Sequence, residues 1–237
     1  MRSFEPPSAR GQCHDSFRPV ASRLSSSNAG LTGSKAHPNT ADVTHSEDGH
    51  RSFFTNYRKA AEVTLAGISA DSVVQLIELL DTSRRQQRGV FVCGNGGSAA
   101  MASHLTGELG KEPVENGNPR FRVFSLVDNT AWITAIANDK NYSSIFVEQL
   151  KNLARKQDIL IAFSCSGNSQ NVVEAVHWAK RHELTTVGIT GHPGGQLARL
   201  ADVVLSVPTS FTPHIQEGHM QIQHLISYYF AETDFHL

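Results

Sequence analysis

Cysteine is scarce in this chain: Cys13, Cys93 and Cys165 are the only three in 237 residues. An odd number without metal-type spacing excludes a disulfide framework and a cysteine zinc site, and it points to a reducing compartment. A surplus of charge is missing too, because 21 Lys and Arg stand against 22 Asp and Glu. That balance supplies no electrostatic footprint for nucleic acid or for an anionic membrane surface. No apolar run approaches the ~20 residues that cross a bilayer. No G-x-x-x-x-G-K-[ST] run accompanies the glycine-rich turn, which argues against a nucleoside triphosphatase.

Residues 1–50 are short of large apolar side chains and rich in Ser, Gly, Pro, Asn, His and charge. They show neither helical nor strand periodicity, so they are expected to be disordered or loosely attached. Their Arg and Ser content, with only Glu5 and Asp15 acidic in the first 40, faintly suggests a transit peptide. Pro6, Pro7, Gly11 and Pro19 spoil the amphipathic helix that one would need, and there is no signal-peptide apolar core. His14, His37, His45 and His50 are scattered and read as solvated.

The remainder, 51–237, has the pattern of one α/β domain, and 39% hydrophobic content suffices for its core. Phe53, Phe54, Tyr57, Ala60, Ala61, Thr64, Leu65 and Ile68 recur at helical spacing. A second helix, capped by Asp71, buries Val73, Leu76, Ile77 and Leu80 and ends near Gly89. Two helices ahead of the first strand exceed a minimal α/β fold, and their apolar faces suggest a partner subunit. Strands are expected at Val90–Cys93, Phe121–Leu126, Asp158–Phe163, Leu184–Thr190 and Val203–Val207, alternating with helices. That alternation indicates a doubly wound five-stranded parallel sheet. A polar loop covers 111–120, and a last helix runs from about Thr212 to Glu232.

Two strand-to-helix turns carry the chemistry. After Cys93 the chain reads Gly94-Asn95-Gly96-Gly97-Ser98, with Ser98 as N-cap of a helix from about Ala99. Free amides and the helix dipole there suit an anion, although the loose G-x-G-x-x-A match does not separate a sugar phosphate from a nucleotide. After Phe163 comes Ser164-Cys165-Ser166-Gly167-Asn168-Ser169, whose hydroxyls and amide can donate to phosphate oxygens or can simply cap the next helix. An open sheet collects ligands at the carboxyl ends of its strands, which favours the phosphate assignment. On the first helix His104 and Glu108 lie four apart, about 40° in azimuth and 6 Å in rise, so they can share a ligand or form a plain surface pair. Asn138 and Asp139 end a helix that starts at Thr130, and Tyr142 begins another. Gln216, Glu217, His219 and His224 form what is by default a solvated face of the last helix.

Taken together, CGNGGSAA, the H-x-x-x-E that follows, the AND at 137–139, SCSGNS and IQE-x-H ending in His224 resemble the SIS (sugar isomerase) domain, specifically the phosphoheptose isomerases. The resemblance covers about residues 51–232. It implies a flavodoxin-like SIS fold with two added N-terminal helices, in a cytoplasmic homotetramer that converts sedoheptulose 7-phosphate to a manno-heptose 7-phosphate. It further implies that Asn95, Gly96, Gly97 and Ser98 form the substrate turn, that Asn138 and Asp139 make a second substrate contact, and that Ser164, Cys165, Ser166 and Ser169 bind phosphate. Glu108 is implied as base and His224 as acid, with His104, Glu108, Gln216 and His224 as a zinc set. Cys165 stands where the family usually has Thr, and His214 where Arg commonly precedes Ile-Gln-Glu. Gln216 and His224 are about 12 Å apart in rise, whereas Glu217 shares the His224 face better.

Carboxylate and imidazole suit the reaction, since moving a carbonyl from C2 to C1 needs a base at C1 and a proton shuttle between oxygens. Two other classes bear on the same motifs. A non-catalytic SIS protein of the kind that associates with a replication initiator would not need His104, Glu108 and His224 jointly. A dinucleotide-dependent oxidoreductase would leave SCSGNS unexplained.

Overall fold

The computed structural model describes residues 47–111 and 119–231. The expectations for residues 1–46, including His14, His37 and His45, and for most of the 111–120 loop, lie outside the described residues. Helix α1 spans Glu47–Ala66 and α2 spans Ala70–Arg85, so α1 opens ahead of the expected Arg51. Glu47 and Asp48 favour the positive end of that helix, and Glu47 pairs with Arg51 one turn on at 2.6 Å. The cap of α2 is Ser69, not Asp71. The Ser69 hydroxyl accepts from the Ser72 N–H at 3.3 Å, which leaves Asp71 in the first turn. The helix stops at Arg85 rather than near Gly89, because Gly89 is already the first residue of β1.

Five strands follow: β1 Gly89–Cys93, β2 Arg122–Ser125, β3 Ile159–Ser164, β4 Thr185–Gly191 and β5 Val203–Val207. All pair in parallel, in the order β2-β1-β3-β4-β5. The helices between and after them are α3 Gly97–Lys111, α4 Thr130–Asp139, α5 Val147–Leu153, α6 Gln170–Arg181, α7 Gly195–Leu200 and α8 Thr212–Ala231. Tyr142 opens a single 3-10 turn, Tyr142–Ser144, rather than a helix of its own.

Strand periodicity of two sorts the core into two layers. Val90, Val92, Ile159, Ile161 and Phe163 face one side with Leu76, Leu105, Ile222 and Ile226 from α2, α3 and α8. Phe91, Cys93, Leu160 and Ala162 face the other with Ile136, Leu150, Val172 and Val176 from α4, α5 and α6. Each fully buried side chain of this size stabilises the fold by roughly 1.5–3 kcal/mol. Burial also pushes the Cys93 thiol up to about 12, so Cys93 behaves as a small core hydrophobe.

The strand order places the topological switch between β1 and β3. Chains leave these neighbouring strands toward opposite faces, and the crevice between them is where open α/β sheets take ligands. Among the described residues, no single helix is long and apolar enough to cross a membrane.

Candidate active site

The glycine turn after β1 is tightly constrained. A Cβ at Gly94 would press on the Ser98 backbone, and Gly96 takes φ +55, a conformation that favours glycine. Helix α3 opens at Gly97, so Ser98 lies inside its first turn and is not the N-cap. The Ser98 N–H donates to the Asn95 carbonyl at 2.9 Å, and those of Ala99 and Ala100 donate to Gly96 at 3.0 and 3.1 Å. These amides are held by the turn itself rather than offered to a ligand. The Ser98 side chain is buried instead, with its hydroxyl 4.0 Å from the Cys165 sulfur.

The loop after β3 wraps around Gly167, at φ +66, whose N–H donates to the carbonyl and the hydroxyl of Ser164, both at 3.1 Å. Ser169 precedes α6 without using its hydroxyl as a cap. Asn168 turns away from the opening, and its Oδ1 accepts from the Gln196 N–H at 3.0 Å. A cavity of about 240 Å³ lies between this loop, the glycine turn and the start of α8. Asn95, Ser98, Ser164, Cys165, Ser166, Ser169 and Gln216 line it, with Phe163, Thr212 and Ile215. Burial raises the Cys165 thiol, with the Ser98 hydroxyl and the Gln216 amide acting against that shift. At this position the loop therefore presents a neutral sulfur.

His104, Glu108 and His224 come together between α3 and α8. His104 Nε2 is 3.5 Å from Glu108 Oε1, and the His104 and His224 rings meet edge to face with centroids 5.2 Å apart. Lys111 reaches back along α3 to Glu108 Oε1 at 3.1 Å. That ammonium holds the Glu108 carboxyl below the usual carboxylate range, helped by His104 and His224 and opposed by partial burial. Gln216 points elsewhere: its amide lies against Gly97, where an added Cβ would overlap it. Two imidazoles, a carboxylate and a side-chain amide are donor types that zinc accepts. Three of the four converge, but among the described residues no group of His, Cys, Asp and Glu is arranged to hold a metal ion.

Asn138 and Asp139 are not brought to the cavity. Both are exposed at the end of α4, and the Asn138 amide donates to Asp139 at 2.9 Å. Glu217 does not share the His224 site either, because it accepts from the Tyr57 hydroxyl of α1 at 2.6 Å. His214 is buried between Tyr57 and Phe211, with ring centroids at 4.5 and 4.8 Å, and does not line the cavity. Two residues that sequence reasoning missed belong to the site: Asn171 and Tyr142, both hydrogen bonded to the Asn95 side chain. Asn171 sits two residues past Ser169, where an Asn looks like part of a cap.

Comparison with known proteins agrees with this architecture. The SIS domain family matches residues 53–191. A phosphoheptose isomerase from Helicobacter pylori is 37% identical over 174 residues, covering 73% of this chain and 89% of its own. Among solved structures, a phosphoheptose isomerase from Neisseria gonorrhoeae superposes with a TM-score of 0.70 at 30% identity, covering 78% of this chain and 98% of its own. One from Francisella tularensis gives 0.71 at 30% identity over 78% and 97%. With five parallel strands in the order that seats both loops at one switch point, and relatives of this length and identity, the chain belongs to the phosphoheptose isomerases of the SIS-domain family.

Proposed function

We propose that the protein converts sedoheptulose 7-phosphate to D-glycero-D-manno-heptose 7-phosphate, a ketose–aldose isomerisation through an enediol in the cytoplasm. The observation that carries this reading is the hydroxyl-lined cavity at the switch point together with a cluster of one carboxylate and two imidazoles on α3 and α8, the two helices whose first turns line that cavity. Ser164, Ser166 and Ser169 supply hydroxyl donors for phosphate, and Asn95 and Gln216 supply amides for the sugar chain. Phosphate held in the loop leaves the reacting end of an extended heptose free to reach toward α3.

Glu108 serves as base. Lys111 keeps it ionised at neutral pH, and an ionised carboxylate can take the C1 proton and return it to C2. His224 serves as acid, moving a proton between the oxygens on C1 and C2 as the carbonyl shifts. His104 stands against both and orients them. To hold zinc, His104, Glu108 and His224 would have to close up and Gln216 swing over from Gly97; zinc bound there would supply positive charge that polarises the carbonyl and stabilises the enediolate. Asn138 and Asp139, exposed at the end of α4, would join the substrate by a movement of that end or from a neighbouring subunit.

We further propose a homotetramer. Its support is the apolar surface of the outer helices, where Phe53 and Phe54 of α1 are 61% and 62% exposed and Leu225 and Tyr229 of α8 are 48% and 59% exposed.

The test is proton NMR of the purified protein with sedoheptulose 7-phosphate in D2O, with zinc and again with a chelator. Aldose phosphate carrying deuterium at C2 is the expected product, with turnover lost under chelation. Glu108→Gln should lower kcat by about 10²–10⁴-fold while circular dichroism stays unchanged. Unchanged substrate under both metal conditions, from folded protein, would refute the assignment.

A further inference from the structure

We infer that Asn171 is a positioning residue of this site, holding the glycine turn and the phosphate loop at a fixed spacing through a reciprocal amide pair with Asn95. The inference rests on the isomerase reading for its kinetic test and on geometry for the rest.

The Asn95 Nδ2 donates to Asn171 Oδ1 at 2.7 Å, and the Asn171 Nδ2 donates to Asn95 Oδ1 at 2.8 Å. The direction of this pair follows from a neighbour. The backbone N–H of Val172 donates to Asn171 Oδ1 at 3.0 Å, so that atom must be the oxygen and its partner on the same amide the nitrogen. The atom of Asn95 that faces the Asn171 nitrogen is then oxygen, and the Tyr142 hydroxyl donates to the same oxygen at 3.1 Å.

The count of donors and acceptors has a chemical consequence. A side-chain amide oxygen has two lone pairs and the nitrogen has two N–H groups. Both lone pairs of Asn95 are occupied and one N–H is given to Asn171. Asn95 therefore meets a bound molecule as a donor through its remaining N–H, toward a carbonyl, hydroxyl or phosphate oxygen. Asn171 plays a different part: it is 2% exposed and does not line the cavity. Its two bonds serve to join the loop after β1 to the first turn of the helix after β3. Among the described residues, the other side-chain link between these turns is the Ser98–Cys165 contact, a weak one at 4.0 Å.

The test compares the full-length protein with Asn171→Leu, which removes both bonds at similar volume, and Asn171→Asp, which keeps the acceptor for Asn95 and Val172. The loss of two buried bonds should raise KM for sedoheptulose 7-phosphate, and Kd for inorganic phosphate, by about tenfold in Asn171→Leu. kcat should fall less than KM rises, because the acid/base cluster lies on other elements. Asn171→Asp should recover part of the loss. In the double variant Asn95→Ala, Asn171→Leu, KM should match that of Asn95→Ala alone. The Asn95 side-chain amide protons, assigned by NMR, should exchange faster once Asn171 is Leu. If Asn171→Leu fails to fold, Asn171→Asp and Asn171→Ser carry the same comparisons. A folded Asn171 variant with unchanged KM, unchanged phosphate affinity and unchanged Asn95 amide exchange would overturn the inference. A wild-type protein that turns over no sugar phosphate would overturn the isomerase reading alone, and the phosphate titration and amide exchange would still decide the role of Asn171.

Discussion

His219 should make the fold acid-sensitive in a pH range where carboxylates alone would not. Its ring is fully buried in α8, 5.6 Å from the Phe163 ring, and neither nitrogen makes a hydrogen bond of full geometry, the Thr190 backbone being the one polar group that acts on it. Burial is the main cause that pushes its pKa down from 6.5 to about 4, against a smaller pull from the Thr190 backbone, and no charged neighbour contributes. In the unfolded chain the imidazole returns to about 6.5. Between these values the unfolded state binds the extra proton, so stability rises with pH there and is lost as pH falls. Above about pH 6.5 both states are neutral and nothing changes; below about pH 4 the loss is complete. At about pH 5 the difference in proton binding amounts to about 2 kcal/mol, a large share of a typical folding free energy. His219→Leu removes the titration and, since the ring gives up only a weak interaction with the Thr190 backbone, should cost little at neutral pH. Urea unfolding followed by circular dichroism at about pH 7.5 and about pH 5, at one protein concentration, should show the wild type losing about 2 kcal/mol more than the variant. Parallel losses, or an NMR titration placing the folded ring near 6.5, would refute the reasoning.

Three further outcomes follow from close contacts and exposed surface. Gly97→Ala pushes a Cβ into the flexible Gln216 amide, so the variant should fold normally, yet KM should rise about fivefold as Gln216 leaves the cavity, checked by steady-state kinetics. Gly167→Ala is a different case: φ is +66 and the added Cβ would overlap the Gly194 carbonyl, which is backbone and cannot give way. That substitution should destabilise the fold by about 3 kcal/mol or more, seen as a lowered Tm or as insoluble protein. Phe54→Asp places a charge on the exposed apolar face of α1, and light scattering should report a smaller particle than the wild type at equal concentration. Equal masses would remove this face from the assembly.

The sheet was legible because its periodicity changes at each element. Ile159–Phe163 is continuous and apolar, as a strand covered on both faces must be, and the alternation of such runs with helical stripes gives the parallel order through the handedness of the crossovers. The pairing of His104 with Glu108 was legible for the same reason, since four residues on one helix need no tertiary information. Asn171 was not, because its significance lies in a partner 76 residues away. Ser98 looks like a cap in the sequence but is not one, because the turn carbonyls of Asn95 and Gly96 satisfy the helix amides and leave its hydroxyl for burial.

The choice between Gln216 and Glu217 shows where local reading stops. Consecutive helical residues point about 100° apart, so once one of the pair faces the cavity the other must face elsewhere. Spacing from His224 alone favoured Glu217. The structure decides the matter: the core takes Ile215, Ile222 and Ile226, Glu217 meets the Tyr57 hydroxyl 160 residues earlier, and Gln216 lies against Gly97. Helix α8 thus faces several ways at once: Ile215, Ile222 and Ile226 into the core, Gln216 toward the cavity, His224 toward His104, and Leu225 and Tyr229 outward. A polar stripe aimed inward beside an apolar one aimed outward cannot be sorted by amphipathicity, which assumes that polar residues meet water. The helix becomes interpretable only when the elements it packs against are known: the sheet and α3 take its apolar stripe, and α1 takes Glu217.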